Sequence, residues 1–192
     1  MNKTVKVAII IVIVIVIILG IYVVNSLINK QNKSNLEPME SGEDLVGLVD
    51  KIYEEIPESE LLMLESQILD ITNNDSVKYI TGLENGTNFE YVVVSEPLMS
   101  SQAYSLVLAK VKSGINADEI AKQMSENIDT RKWICVEAEK LYATSSGDIV
   151  FLVMSNEGIA KPIYERFKSL AGNINQVYEK TAEEIDLPPE MY

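Results

Sequence analysis

The spacing of apolar and polar positions changes repeatedly along this chain, and each change predicts an element. Residues 7–24 carry no charge and are nearly all Ile, Val, Leu or Ala. As a helix, 18 residues rise about 27 Å at ~1.5 Å each, close to the ~30 Å hydrocarbon core of a bilayer. An all-round apolar helix has no use at the start of a water-soluble fold. The pattern predicts a membrane span with Val7, Val14, Gly20 and Val24 inside it. Residues 25–42 turn polar, with Asn, Lys, Gln, Ser and Pro38, and read as a flexible linker.

Helical spacing begins after the linker. Leu45, Leu48, Val49 and Ile52 recur at three and four, which predicts an amphipathic helix over residues 43–56, stopped by Pro57. Residues 61–64 and 68–71 are apolar and fit a helix or a strand equally. Asn73, Asn74 and Asp75 suit the N-terminal cap of a short helix reaching Leu83. Residues 91–95 and 104–111 are β-branched runs joined through a turn at 96–102 that contains Pro97. Asn116, with Glu119 three residues on, predicts a capped helix whose apolar stripe is Ile120, Met124 and Ile128. Residues 141–144 and 149–154 flank Ser145-Ser146-Gly147-Asp148 and predict a hairpin. Residues 149–154 show no polar alternation, so this strand is expected to be covered on both faces. A last helix over 156–170 presents Ile159, Ile163, Phe167 and Leu170, ends at Gly172, and can start as late as Pro162.

From residue 88 the order is strand, strand, helix, strand, strand, helix. The expected fold is α+β: a transmembrane helix, then one two-layer domain with an antiparallel sheet and helices on one face. The expected segments are a cytoplasmic N-terminus at 1–6, the span at 7–24, the linker at 25–42, the domain at 43–172 and an acidic tail at 173–192.

Charge sharpens this picture. All 29 acids lie beyond residue 36, whereas Lys3, Lys6 and Lys30 lie among the first thirty residues. Residues 31–192 therefore hold 29 acids against 13 bases, a net of −16. Nucleic acid and anionic head groups both repel such a domain. Lys3, Lys6, Lys30 and Lys33 balance the two ends of the span, and the acidic bulk and signal-like start favour a cytoplasmic N-terminus with the domain outside. A cleaved secretory signal is the competing reading, but the apolar run is longer than a signal core and no Ala-x-Ala follows it.

The chemistry read from the sequence is mostly exclusion. There is no histidine and one cysteine, Cys135, which its neighbours Ile134 and Val136 suggest is a buried small hydrophobe. His-based triads and zinc sites are thereby removed. No Gly-x-x-x-x-Gly-Lys-Ser/Thr loop and no Ser-x-x-Lys pair occurs. Asp70, Asn73, Asn74 and Asp75 gather oxygen donors but lack the Gly and Glu of a calcium loop, so capping explains them. Glu96, Glu137 and Glu139 admit a carboxylate-only hydrolase, against the simpler reading of solvated acids. No catalytic, metal or cofactor residue is assigned. Arg131, Lys132 and Trp133 form a basic, aromatic spot on a negative domain and are candidate partner contacts, or else core and helix-end residues. Met99 and Gln102, in the 96–102 connection, are further candidate contacts.

Whole segments carry a resemblance: the run from Val94 to Lys112, Arg131-Lys-Trp-Ile-Cys-Val-Glu-Ala-Glu139, and Gly147-Asp-Ile-Val-Phe-Leu-Val-Met154. Over roughly residues 60 to 172 the chain resembles a family of small extracytoplasmic domains of unknown function. Its members come mainly from Gram-positive, clostridia-like bacteria and are often lipoproteins or singly anchored. This chain departs from the lipoproteins by lacking the anchor Cys. The resemblance implies a bacterial surface location and offers no activity, ligand or functional residue to carry over. The sequence thus points to a membrane-tethered binding or accessory module whose partners are the bilayer, through residues 7–24, and an envelope protein or cell-wall component. Gly20 alone gives little support to a span that packs helix on helix.

Overall fold

The computed structural model describes residues 34–57, 63–98 and 102–182. The predicted span, and Met99, lie outside the described residues. Among the described residues no helix is long and apolar enough to cross a membrane.

Helix α1 runs Gly42–Tyr53 and buries Leu45, Leu48, Val49 and Ile52, as the spacing predicts. Its start is a capping box: the Asp44 amide donates to the Ser41 hydroxyl, and the Asp44 carboxylate accepts the Ser41 amide. Strand β1 (Leu64–Ile68) and helix α2 (Asn74–Thr81), capped by Asn73, follow. Then come β2 (Phe89–Pro97), β3 (Ser105–Val111) and helix α3 (Ala117–Asn127). The Asn116 side chain caps α3 by accepting from the Asp118 amide, while Glu119 accepts from Gln123 instead of closing a capping box. Strands β4 (Lys140–Ser146) and β5 (Ile149–Ser155) form the predicted hairpin, with Ser146 paired to Ile149 across Gly147-Asp148. A two-residue loop of this kind needs positive φ at its first central residue, and Gly147 sits at +61°.

Helix α4 (Glu157–Ala171) begins five residues before Pro162, not at it. The proline forfeits one bond, to the Gly158 carbonyl, yet burial of Ala160, Ile163, Tyr164, Phe167 and Ala171 holds the helix through it. Strand β6 (Tyr178–Thr181) ends the described fold.

Among the described residues six strands pair antiparallel in one sheet ordered β1-β2-β3-β5-β4-β6. The α+β class and the antiparallel sheet stand, but the two-layer expectation does not. One apolar cluster packs α1 and α4 on Val93, Leu106, Leu108, Phe151 and Val153. A second packs α2 and α3 on Val92, Val94, Val107, Ala109, Val150 and Leu152, so helices cover both faces. The reason lies in β2, β3 and β5, where apolar residues are consecutive and therefore point to both faces. A bulge between Phe89 and Tyr91 adds to this, sending Phe89 to the α2–α3 face and Tyr91 to the other.

Both polar flanks are also drawn into the domain. Asn35 donates to the Ala171 carbonyl at 2.9 Å, Leu36 packs on the core and Met39 is buried, so residues 34–41 belong to the fold rather than to a spacer. Residues 178–181 of the supposed tail pair with β4, and the Tyr178 hydroxyl reaches the Asp118 carboxylate at 3.0 Å. Backbone pairing, which charge pattern does not report, decides both cases.

Because each face carries its own core, Phe167→Ala on one side and Met124→Ala on the other should each cost about 2–5 kcal/mol. Denaturant unfolding of the two variants measures this. A near-neutral Met124→Ala would refute the second helical layer as a true core.

Candidate functional site

At one end of the sheet, β2 and β5 finish while β3 and β4 begin. Residues 102–104 before β3 and the 128–139 connection meet there, together with the start of α4. The 128–139 connection is irregular, without helix or strand, because α3 ends at Ile128 and β4 starts only at Lys140.

Lys132 anchors that connection. Its ammonium lies 2.6 Å from the Glu96 carboxylate at the end of β2, and the two side chains are 3% and 19% exposed. It also donates to the Ser105 hydroxyl at 3.3 Å. The ring of Tyr79, from α2, stands 4.7 Å from the ammonium and that of Trp133 stands 5.4 Å away. Burial pushes the Lys132 pKa down, and the Glu96 carboxylate pulls it back up. The cation is therefore held by one carboxylate, one hydroxyl and two aromatic rings.

Of the candidate contacts, Lys132 turns inward and is a clamp for its loop. Trp133 is half-buried on the α2–α3 core, and Arg131 is exposed. Cys135 does not behave as the buried hydrophobe its neighbours suggested: it is exposed with φ +64°, and Ile134 beside it is 76% exposed. Apolar neighbours imply burial only within a periodic element, and this loop has no period. Large apolar side chains gather around the same end. Met63 and Leu98, 64% and 65% exposed, are joined by the Leu98 amide donating to the Met63 carbonyl.

On the other side of the loop a cleft of about 250 Å³ opens. Leu64, Tyr104, Val136 and Ile159 supply its apolar walls, and Gln102, Glu137 and Ser155 its polar ones. Gln102 is thus placed at a concave surface, whereas Arg131 and Trp133 are not among the lining residues and Trp133 packs on the α2–α3 face. Beneath the cleft the Tyr104 hydroxyl lies 2.7 Å from that of Tyr53 in α1. Burial pushes Tyr53 up to about 12 and Tyr104 well above the usual phenol range. Neither this phenol pair nor the Lys132–Glu96 pair was anticipated. Their members are far apart in sequence, and the only local signal was a Glu closing an apolar strand.

The other acids and amides singled out in the sequence serve turns and helix starts or bond to neighbouring side chains. Asp70 accepts from both the amide and the hydroxyl of Thr72, and Asn73 caps α2. Glu137 accepts from the Thr130 hydroxyl, and Glu139 accepts the Glu157 amide at the start of α4. Among the described residues no group of three Asp, Glu or Cys side chains is placed to hold a metal ion. Comparison with protein-family models, curated proteins and solved structures finds no match to this chain.

Breaking the clamp from either side leaves an uncompensated buried charge, so Lys132→Met or Glu96→Gln should each cost about 3 kcal/mol. The double variant Lys132→Met/Glu96→Leu should recover most of that loss, and equilibrium unfolding reads all three. The phenol pair carries a pH signature. Tyr53 keeps its proton up to about 12 when folded and gives it up near 10.0 when unfolded. The unfolded state then binds fewer protons, and stability should fall as pH rises from that ordinary value toward the folded one. A Tyr53→Phe variant, compared by alkaline denaturation and tyrosinate absorbance, should show a shallower decline.

Proposed function

We propose that this protein is a membrane-tethered extracytoplasmic domain of the bacterial cell envelope that works by binding and not by catalysis. The apolar run at residues 7–24 is the tether, with the N-terminus cytoplasmic and the acidic domain outside. The observation that carries the binding reading is the part-apolar cleft beside the clamped loop, with exposed Met63 next in sequence to its wall residue Leu64, exposed Leu98 bonded to Met63, and exposed Ile134 two residues before its wall residue Val136. Isolated exposed hydrophobes are ordinary, but a group beside a concave, part-apolar surface marks an interaction site.

The fitting occupant is an envelope protein that offers an apolar side chain to this group and basic residues to the surrounding acidic surface. A cell-wall component is the competing occupant. A carboxylate-dependent hydrolase is the alternative activity, and it needs two acids converging on one substrate atom. Glu96 is committed to Lys132 and Glu139 to the start of α4, which favours binding over that chemistry.

Crosslinking in intact cells followed by mass spectrometry tests the reading. The wild-type chain should capture an envelope protein reproducibly. Ile134→Asp and Leu98→Asp should lower the yield at least tenfold, since a charge buried in an apolar contact costs more than ~1.4 kcal/mol. The paired substitution Arg131→Ala/Trp133→Ala should release the partner with the domain still folded by circular dichroism. Unfolding of that variant assigns Trp133 to the core alone. Recovery of the full chain in the soluble fraction, or a mature N-terminus near Leu27, overturns the tether.

A further inference from the structure

We propose that the open edge of β1 is a self-association surface, at which two copies of this chain pair antiparallel about Ser66. β1 lies at the end of the sheet, and no described residue bonds to its outer side. The Leu98 amide donates to the Met63 carbonyl at 3.3 Å and the Leu69 amide to the Val92 carbonyl at 2.8 Å, so positions 63 and 69 bond toward β2. Alternation along an antiparallel ladder then turns the N–H and C=O groups of Leu64, Ser66 and Ile68 outward.

That geometry selects the register, because only outward positions can exchange hydrogen bonds. With Ser66 facing Ser66, Leu64 meets Ile68 of the second copy and Glu65 meets Gln67. Apolar thus faces apolar, acid faces amide, and no like charges oppose. The sequence of β1, Leu-Glu-Ser-Gln-Ile, is self-complementary only when read against its own reverse, as a two-fold axis requires. Ile68, 44% exposed, would gain an apolar neighbour, and both sheets would join with their α1–α4 faces on the same side.

The opposite edge lacks this property. The Ala182 amide donates to the Glu139 carbonyl, so alternation turns Glu179 and Thr181 of β6 outward. The two registers with most overlap set Glu179 against Glu179 or Lys180 against Lys180. Glu179 is moreover already engaged by Lys140 at 2.8 Å. Acidity of the whole domain opposes association of two copies, so pairing through β1 should strengthen as salt screens that repulsion.

The test uses the full chain in native membranes, with Cys135→Ser as background. In the proposed register two Ser66 Cα atoms lie ~5.5 Å apart, within the ~4.4–6.8 Å range of disulfides. Two Ile68 positions lie four residues apart along the ladder, about 13 Å, beyond reach. Mild oxidation should therefore give at least tenfold more disulfide dimer from Ser66→Cys than from Ile68→Cys. Separately, Ser66→Pro removes an outward N–H and no β1–β2 bond, so the chain in detergent should stay folded and become monomeric by light scattering. Equal disulfide yields overturn the proposal, as does a Ser66→Cys thiol that reacts with maleimide yet forms no dimer. Association untouched by Ser66→Pro overturns it as well.

Discussion

Apolar side chains on both faces of β2, β3 and β5 govern the rest of this structure. A sheet with one greasy face needs one layer of helices; a sheet with two needs helices on each side. Val92, Val93 and Val94 already divide between the two clusters, as do the consecutive residues of β5. Each amphipathic helix then has an assigned face. α1 and α4 close one side, where Phe151 stacks on Phe167 with ring centroids 4.4 Å apart. α2 and α3 close the other around Met124 and Ile120. Six strands with their middle buried on both sides leave only the ends and edges of the sheet to present anything to solvent.

The end of the sheet is organised by a clamp rather than by periodic structure. Residues 128–139 have no ladder of their own, and a loop of that kind is normally placed by whatever side chains it can insert. Here Lys132 is inserted, with its charge met by Glu96 and by the ring faces of Tyr79 and Trp133. Burying a cation to hold a loop is costly, and the cost is offset only because carboxylate, hydroxyl and rings all converge on it. One consequence is that Ile134 and Cys135 are held out toward solvent instead of folding back on the core. Exposed Ile134 and the cleft residues Val136 and Glu137 thus belong to one pinned segment. A binding surface so built would bring little flexibility of its own, which lowers the ordering cost of association.

The edges complement this arrangement. β6 is short and charged, and its Glu179–Lys140 pair occupies it. β1 carries one acid, Glu65, and otherwise offers apolar, hydroxyl and amide side chains with outward backbone groups. In a chain this acidic, surface charge governs long-range repulsion while the choice of edge is made by local pairing.

Much of this was legible in the chain itself. The stripe Leu45-Leu48-Val49-Ile52, the caps at Asn73 and Asn116, the hairpin at Gly147 and the doubly covered strand at 149–154 all follow from spacing and local backbone chemistry. These are short-range effects, written within one or two turns of the residues that cause them. The α+β class and the antiparallel sheet came from the order of those elements. The second helical layer, the docking of residues 34–41 and the pairing of β6 were decided only by tertiary structure. So were the Lys132–Glu96 clamp and the phenol pair of Tyr53 and Tyr104. Each of these joins residues far apart in the chain, and neither spacing nor composition encodes which distant groups will meet once the sheet has closed.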